Sequence, residues 1–112
     1  MRLVGDCTYE DVLRATKDVW EHPSFREMKY EIFDYSDVTS VDFSDYDVVE
    51  LAVRDSVASK MSRRSKMAIV ARKPELLALT QDYKKSLLDP NMEFQVHATL
   101  EQARRWVAGE NF

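Results

Sequence analysis

The sequence has 2 glycines, 3 prolines and one cysteine in 112 residues. Two glycines cannot compose a phosphate-cradling P-loop, a dinucleotide-binding fingerprint or a Gly-x-Ser-x-Gly nucleophile elbow, which excludes nucleotide enzymes of the familiar kinds. So little glycine and proline also excludes collagen-like and linker-rich chains. Cys7 alone cannot staple the chain, so it fits a reducing, cytoplasmic setting and reads first as a small buried apolar residue. No apolar run approaches the ~18 residues of a membrane span. Met1 to Asp11 lacks the charged and apolar regions of a signal peptide. His22 and His97 have no His, Cys or carboxylate at ligand spacing, so no metal, no cofactor and no catalytic set is expected.

What is present is a globular composition: 45% hydrophobic, 11% aromatic and 32% charged residues. A 13.1 kDa chain of this kind supports one domain, residues 1–112. Its net charge of −4 is unevenly placed. Residues 6–50 hold 13 Asp/Glu against 4 Lys/Arg, while residues 54–73 carry seven Lys/Arg against Asp55 alone. A pI near 5.2, with no aromatics interleaved around Arg63 and Arg64, argues against nucleic acid as a partner. Near the end of a helix, Lys60, Arg63 and Arg64 complement the helix dipole; a partner-binding role is the alternative.

Hydrophobic spacing resolves the chain into alternating elements. Met1 to Gly5 reads as a short strand. Thr8 with Asp11 resembles a capping box, and Val12, Leu13, Thr16, Val19 and Trp20 follow at helical spacing until His22-Pro23. Met28, Tyr30 and Ile32 alternate as a strand ending at Phe33-Asp34. Ser44 with Asp47 caps a second helix through Val48, Val49, Ala52, Val53, Ser56 and Val57 to about Met61. Met67 to Ala71 reads as a strand covered on both faces. Pro74 opens a third helix through Leu87, closed by Asp89-Pro90. Met92, Phe94 and Val96 form a fourth strand, and Thr99 with Gln102 reads as a full capping box opening a last helix through Trp106 and Val107 to Gly109.

Four strand–helix repeats predict an α/β fold of about four mostly parallel strands alternating with four helices, with Met67 to Ala71 central. Functional residues in such sheets gather beyond the carboxyl ends of the strands. Here those positions are Asp6 to Thr8, Asp34 to Ser44, Arg72 to Lys73 and His97 to Thr99. Cys7 beside a helix N-terminus, with His97 across the sheet, is a candidate reactive thiol; a packed residue and a surface imidazole are the plainer alternative.

The tract Asp34-Tyr35-Ser36-Asp37-Val38-Thr39-Ser40-Val41-Asp42-Phe43-Ser44 resembles the loop of STAS domains, the sulfate transporter and anti-sigma-factor antagonist family. Its matching positions are Asp34, Ser36, Val38, Val41 and Asp42, while Phe43 and Asp45 replace the family's serine and glycine. In the antagonists a kinase phosphorylates the serine that corresponds to Ser44, so the resemblance makes Ser44 a regulatory candidate beside its capping role. Thr8-x-Glu10-Asp11-Val12, Trp20-x-His22-Pro23, Lys66 to Ala71 and Ala103-x-x-Trp106-Val107 resemble stand-alone SpoIIAA-like proteins, which are loosely similar to SEC14-type lipid binders. Members of that branch usually begin with one more strand, so a trimmed start or a shorter sheet is expected here.

Two functions are open at this level. One is a non-catalytic regulatory module that binds a protein through a loop and helix start at 37–47, with Asp37, Asp42, Asp45 and Asp47 as its surface, and the exposed side of the second helix. The other is a carrier of a small anionic or lipid-like ligand, using a rim at Arg72, Lys73 and His97. The rim's alternative role is pairing of Arg72 and Lys73 with Asp34 or Asp42. An uncovered sheet edge makes a homodimer a further expectation.

Overall fold

The structure, a computed structural model, describes residues 2–88 and 92–109. Chain order is β1 (Arg2–Thr8), α1 (Tyr9–Glu21), a 3-10 turn at Phe25–Glu27, β2 (Tyr30–Asp42), α2 (Asp45–Ser59), β3 (Lys66–Val70), α3 (Pro74–Ser86), β4 (Glu93–His97) and α4 (Leu100–Val107). The strands form one sheet in the order β1-β2-β3-β4, with every neighbouring pair parallel. Because the order advances in one direction, right-handed crossovers bring α1, α2 and α3 to the same face. Their side chains Val12, Val48, Leu51, Ala52, Leu76 and Tyr83 pack with Phe33, Met67 and Ile69 there. On the other face Ala68 and Val70 meet Ala103 of α4, flanked by Trp106 and Val107. The central strand β3 is thus covered on both sides, as its unbroken apolar run requires. The expected strand start at Met1 and the Asp89-Pro90 stop lie outside the described residues.

The sheet departs from expectation in its second strand. Asp34 to Ser44, read above as a loop, is strand as far as Asp42. Residues Tyr30 to Asp34 pair with β3, and Asp34 onward pairs with β1, which itself runs on to Thr8 rather than stopping at Gly5. Local polarity suggested a loop, but cross-strand chemistry overrides it. Val38 is buried in the core, while the Thr39 and Ser40 hydroxyls donate to Asp6 Oδ1 of β1 at 2.8 and 2.7 Å, and Arg2 pairs with Asp37. The register slips twice along this pair, once between Gly5 and Asp6, where Gly5 takes φ +72°. The second helix also ends earlier than expected, at Ser59, with the turn to Ser62 continuing its amide bonds.

A buried ionic knot joins the sheet to three helices. Arg64, expected to complement the helix dipole or meet a partner, is 4% exposed; Glu31 of β2 and Asp55 of α2 are 5% and 0% exposed. The Arg64 guanidinium pairs with Glu31, donates to Asp55 Oδ1 at 3.5 Å and to Ser59 Oγ at 2.8 Å, and lies 5.4 Å over the Phe25 ring. Trp20 Nε1 of α1 donates to Asp55 Oδ1 at 3.0 Å, and the Tyr83 hydroxyl of α3 donates to Asp55 Oδ2.

One cation cannot neutralise two buried carboxylates. Asp55 gathers donors on both oxygens, whereas Glu31 Oε2 has no hydrogen-bond partner among the described residues. Burial raises both carboxyl pKa values, that of Glu31 to about 7 against the pull of Arg64 and with the push of Asp55, and the donors from Trp20, Tyr83 and Arg64 on Asp55 leave the shared proton on Glu31. A folded pKa above the unfolded value contributes stability that is fully present below the unfolded pKa of 4.5 and is lost as pH rises through about 7. Relative to Glu31→Gln, the wild type should lose about 2 kcal/mol between pH 5 and pH 8 in urea unfolding. A pH-independent difference between the two proteins would place the proton elsewhere.

Candidate functional site

Ser44 stands where β2 hands over to α2. Its backbone is extended, at φ −83° and ψ 163°, so its hydroxyl turns back over the first helical turn and accepts from the Asp47 amide at 3.1 Å. Asp47 Oδ2 in return accepts from the Ser44 amide at 3.0 Å, completing a capping box. Asp45 and Asp47 lie in the first turn, where carboxylates complement the positive end of the helix dipole. Asp42 is the last residue of β2 and is exposed; Asp37, five residues earlier, is held by Arg2. Asp45 and Asp47 therefore lie at the helix start, while Asp37 and Asp42 sit on a strand where a loop was expected. At the point where β2 changes partners, burial would push the Asp34 pKa up, but the Ser36 hydroxyl and amide, at 2.6 and 3.0 Å, outweigh it and hold the carboxyl below its usual range.

The second helix carries two apolar faces. Val48, Leu51, Ala52, Asp55, Ser56 and Ser59 are buried on the inner one. Tyr46, Val49, Val53 and Val57 stand on the outer one and are 73%, 44%, 39% and 59% exposed. Their steps of three and four residues align them along one side of the helix, starting one turn from Ser44. Beside them Arg54 pairs with Glu50 at 3.2 Å. The apolar doublets at 48–49, 52–53 and 56–57 are the trace a two-sided helix leaves in the sequence. Tyr46 was missed because it precedes the first apolar doublet.

Beneath the inner face lies a cavity of about 50 Å³, lined by Phe33, Tyr35, Phe43, Leu51, Leu76 and Asp55 among others. This is room for a few water molecules or a small apolar group. Burial beside Asp55 and Glu31 pushes the Tyr35 phenol pKa well up, so it stays protonated.

The remaining candidates lie at the carboxyl ends of β1, β3 and β4, where the Ala71 amide donates to the His97 carbonyl at 3.1 Å. Lys73 Nζ donates to the Thr39 carbonyl at 2.9 Å, not to Asp34 or Asp42. Arg72 is exposed and has no ion-pair partner among the described residues. The His97 ring lies 5.6 Å from Trp106 on the α4 side; burial lowers its pKa, and its Nε2 is buried without a partner among the described residues. Cys7 lies on β1 and His97 on β4, the two edges of the sheet, so they do not meet. Burial, with Asp11 and Asp6 nearby, pushes the Cys7 thiol up, the reverse of an activated thiolate. Among the described residues no three His, Cys, Asp or Glu side chains cluster as metal ligands. No described helix is long and apolar enough to cross a membrane.

No protein-family model matches the chain, and no curated protein is similar to it. The chain is similar in structure to an uncharacterised protein of the DUF3478 family with a SpoIIAA-like fold, from Shewanella loihica PV-4. The two superpose with a TM-score of 0.57 at 14% identity, over 95% of this chain and 80% of that one. The fold is thus SpoIIAA-like.

The capping geometry makes a direct test of the helix start. Ser44→Ala should lower stability by about 0.5–2 kcal/mol in urea unfolding, and Ser44→Asp should recover most of it. A neutral alanine variant would remove Ser44 from the capping role.

Proposed function

We propose that this protein is a non-catalytic regulatory module that binds a protein partner on the outer face of α2 and the acidic turn at its start. The observation that carries the reading is the line of Tyr46, Val49, Val53 and Val57, exposed side by side on a helix whose opposite face is already buried. A folding role for these residues would have turned them inward, whereas a partner gains from their burial. Tyr46 is the natural anchor of such a patch, being large, amphipathic and 73% exposed. Asp42 and Asp45 at the head of the stripe favour a partner with a basic face and steer its approach in a salt-dependent way. Ser44, exposed and adjacent, is the regulatory position. A phosphate there would remove the cap hydroxyl and add close to two negative charges beside Asp42, Asp45 and Asp47, changing what the face accepts. We place the module in the cytoplasm, where the buried Cys7 thiol stays reduced.

A second reading is favoured by the cavity under α2. It supports carriage of a small apolar or lipid-like ligand, while Arg72, Lys73 and His97, the rim that the sequence suggested, do not line it. A co-purified small mass in native mass spectrometry would favour it over the interaction module.

The interaction reading is tested with a partner recovered from the source cell and titrated against purified variants. Val53→Glu combined with Val57→Glu should keep the wild-type unfolding midpoint and weaken binding at least about a hundredfold, as loss of a central apolar anchor does. Asp45→Lys should weaken binding less and flatten its salt dependence. If both keep full affinity while Arg63→Glu abolishes it, the partner binds elsewhere and the reading fails.

A further inference from the structure

The opposite end of the sheet carries a second charged surface. Arg26, Lys60 and Arg63 border an open depression of about 520 Å³, together with Met61 and Ser62. The 3-10 turn before β2 and the turn after α2 bring them together, and the Arg63 amide donates to the Arg26 carbonyl at 3.0 Å. All three cationic side chains are exposed, and among the described residues no carboxylate pairs with any of them. This is unlike much of the surface, where Arg2, Arg14, Arg54 and Arg105 each sit beside an acid. In a chain of net charge −4, three unneutralised cations around one hollow make a local positive field.

The hollow also offers a directed donor. Ser62 Oγ accepts from the Arg64 amide at 3.3 Å, which leaves the hydroxyl proton for a ligand. The negative end of α2 is already answered within the turn, since the Lys60, Met61 and Ser62 amides donate to the Val57, Ala58 and Ser59 carbonyls at 3.2, 2.9 and 3.3 Å. The three cations are therefore free to face outward.

We propose that this depression binds a phosphoryl group, with Arg26 and Arg63 as guanidinium forks, Lys60 as a point charge and Ser62 as a hydroxyl donor. Two guanidiniums and an ammonium around a hydroxyl match the tetrahedral, multiply charged oxygens of a phosphate, and a guanidinium can contact two of them at once. A free phosphate compound and a phospholipid headgroup share this chemistry, and the exposed Met61 beside the hollow gives the headgroup an apolar footing. The site lies at the amino ends of β2 and β3, away from Ser44 at the carboxyl end of β2, so it stands or falls independently of the partner face.

Amide shifts of the full chain are followed by NMR during titration with inorganic phosphate and then pyrophosphate at low salt, alongside co-sedimentation with phosphatidylglycerol and with phosphatidylcholine vesicles. Saturable shifts at residues 26 and 60–64, tighter for pyrophosphate and weakened about tenfold in Lys60→Gln/Arg63→Gln, support the site as a receptor for free phosphoryl groups. Sedimentation with phosphatidylglycerol alone, lost in the same variant, supports it as a headgroup site. Thermal unfolding should not change in the variant, because both side chains are exposed. The proposal is overturned if neither probe binds, if the shifts map elsewhere, or if Arg72→Gln weakens binding as much as the double variant.

Discussion

A single buried guanidinium sets the geometry of this protein. Arg64 sits between Glu31 on the sheet and Asp55 on α2, and Asp55 is in turn held by Trp20 from α1 and Tyr83 from α3. A charge in that position is costly unless it is paired, and pairing fixes all three crossover helices against β2 at one point. Apolar contacts alone would let α2 roll about its axis, since it is apolar on two sides. With Asp55, Ser56 and Ser59 committed inward, the rotation is set, and Tyr46, Val49, Val53 and Val57 are left facing water. The partner face proposed here is a consequence of the knot behind it.

The long second strand does the corresponding work at the carboxyl end. By changing partners at Asp34, β2 lifts its last eight residues beyond β3 and carries Ser44 and the first turn of α2 with them. The acids at 42, 45 and 47 collect at that end. The unpaired cations Arg26, Lys60 and Arg63 collect at the other. The acids at the α2 start thus lie at the carboxyl end of the strands, beside Arg72 and Lys73 after β3, and Arg26, Lys60 and Arg63 lie at the amino end.

The order of elements was legible because strand and helix periods differ and the caps are explicit: Thr8 with Asp11 and Ser44 with Asp47 both form reciprocal boxes, while at α4 only half of the expected box forms, Thr99 accepting from the Gln102 amide and Gln102 Oε1 from the Ala98 amide instead. The middle position of Met67 to Ala71 followed from an apolar run that water cannot touch. Three features were hidden for physical reasons. The polar tract after Asp34 is a strand only because β1 supplies Asp6 and Arg2 across from it, a long-range fact that no local window holds. Arg64 lies in a run of cations that reads as complementing a helix end, and its burial is dictated by two carboxylates, one 33 residues away and one nine. The divided face of α2 needed the knot to say which half of each apolar doublet turns inward. Of the candidate site, Ser44 and its neighbouring acids were visible from capping and resemblance, while Tyr46 and the outer valines were not.

The central claim is that Arg64 is the pin on which this arrangement turns, and urea unfolding of Arg64→Leu at pH 7 tests it most directly. Removing the cation leaves the Asp55 carboxylate buried without its counter-charge, so the loss should be about 3–5 kcal/mol. Adding Glu31→Gln to that variant should change its stability little at pH 7, since without the cation Glu31 is already protonated. A loss below about 1 kcal/mol, typical of an exposed ion pair, would contradict the account.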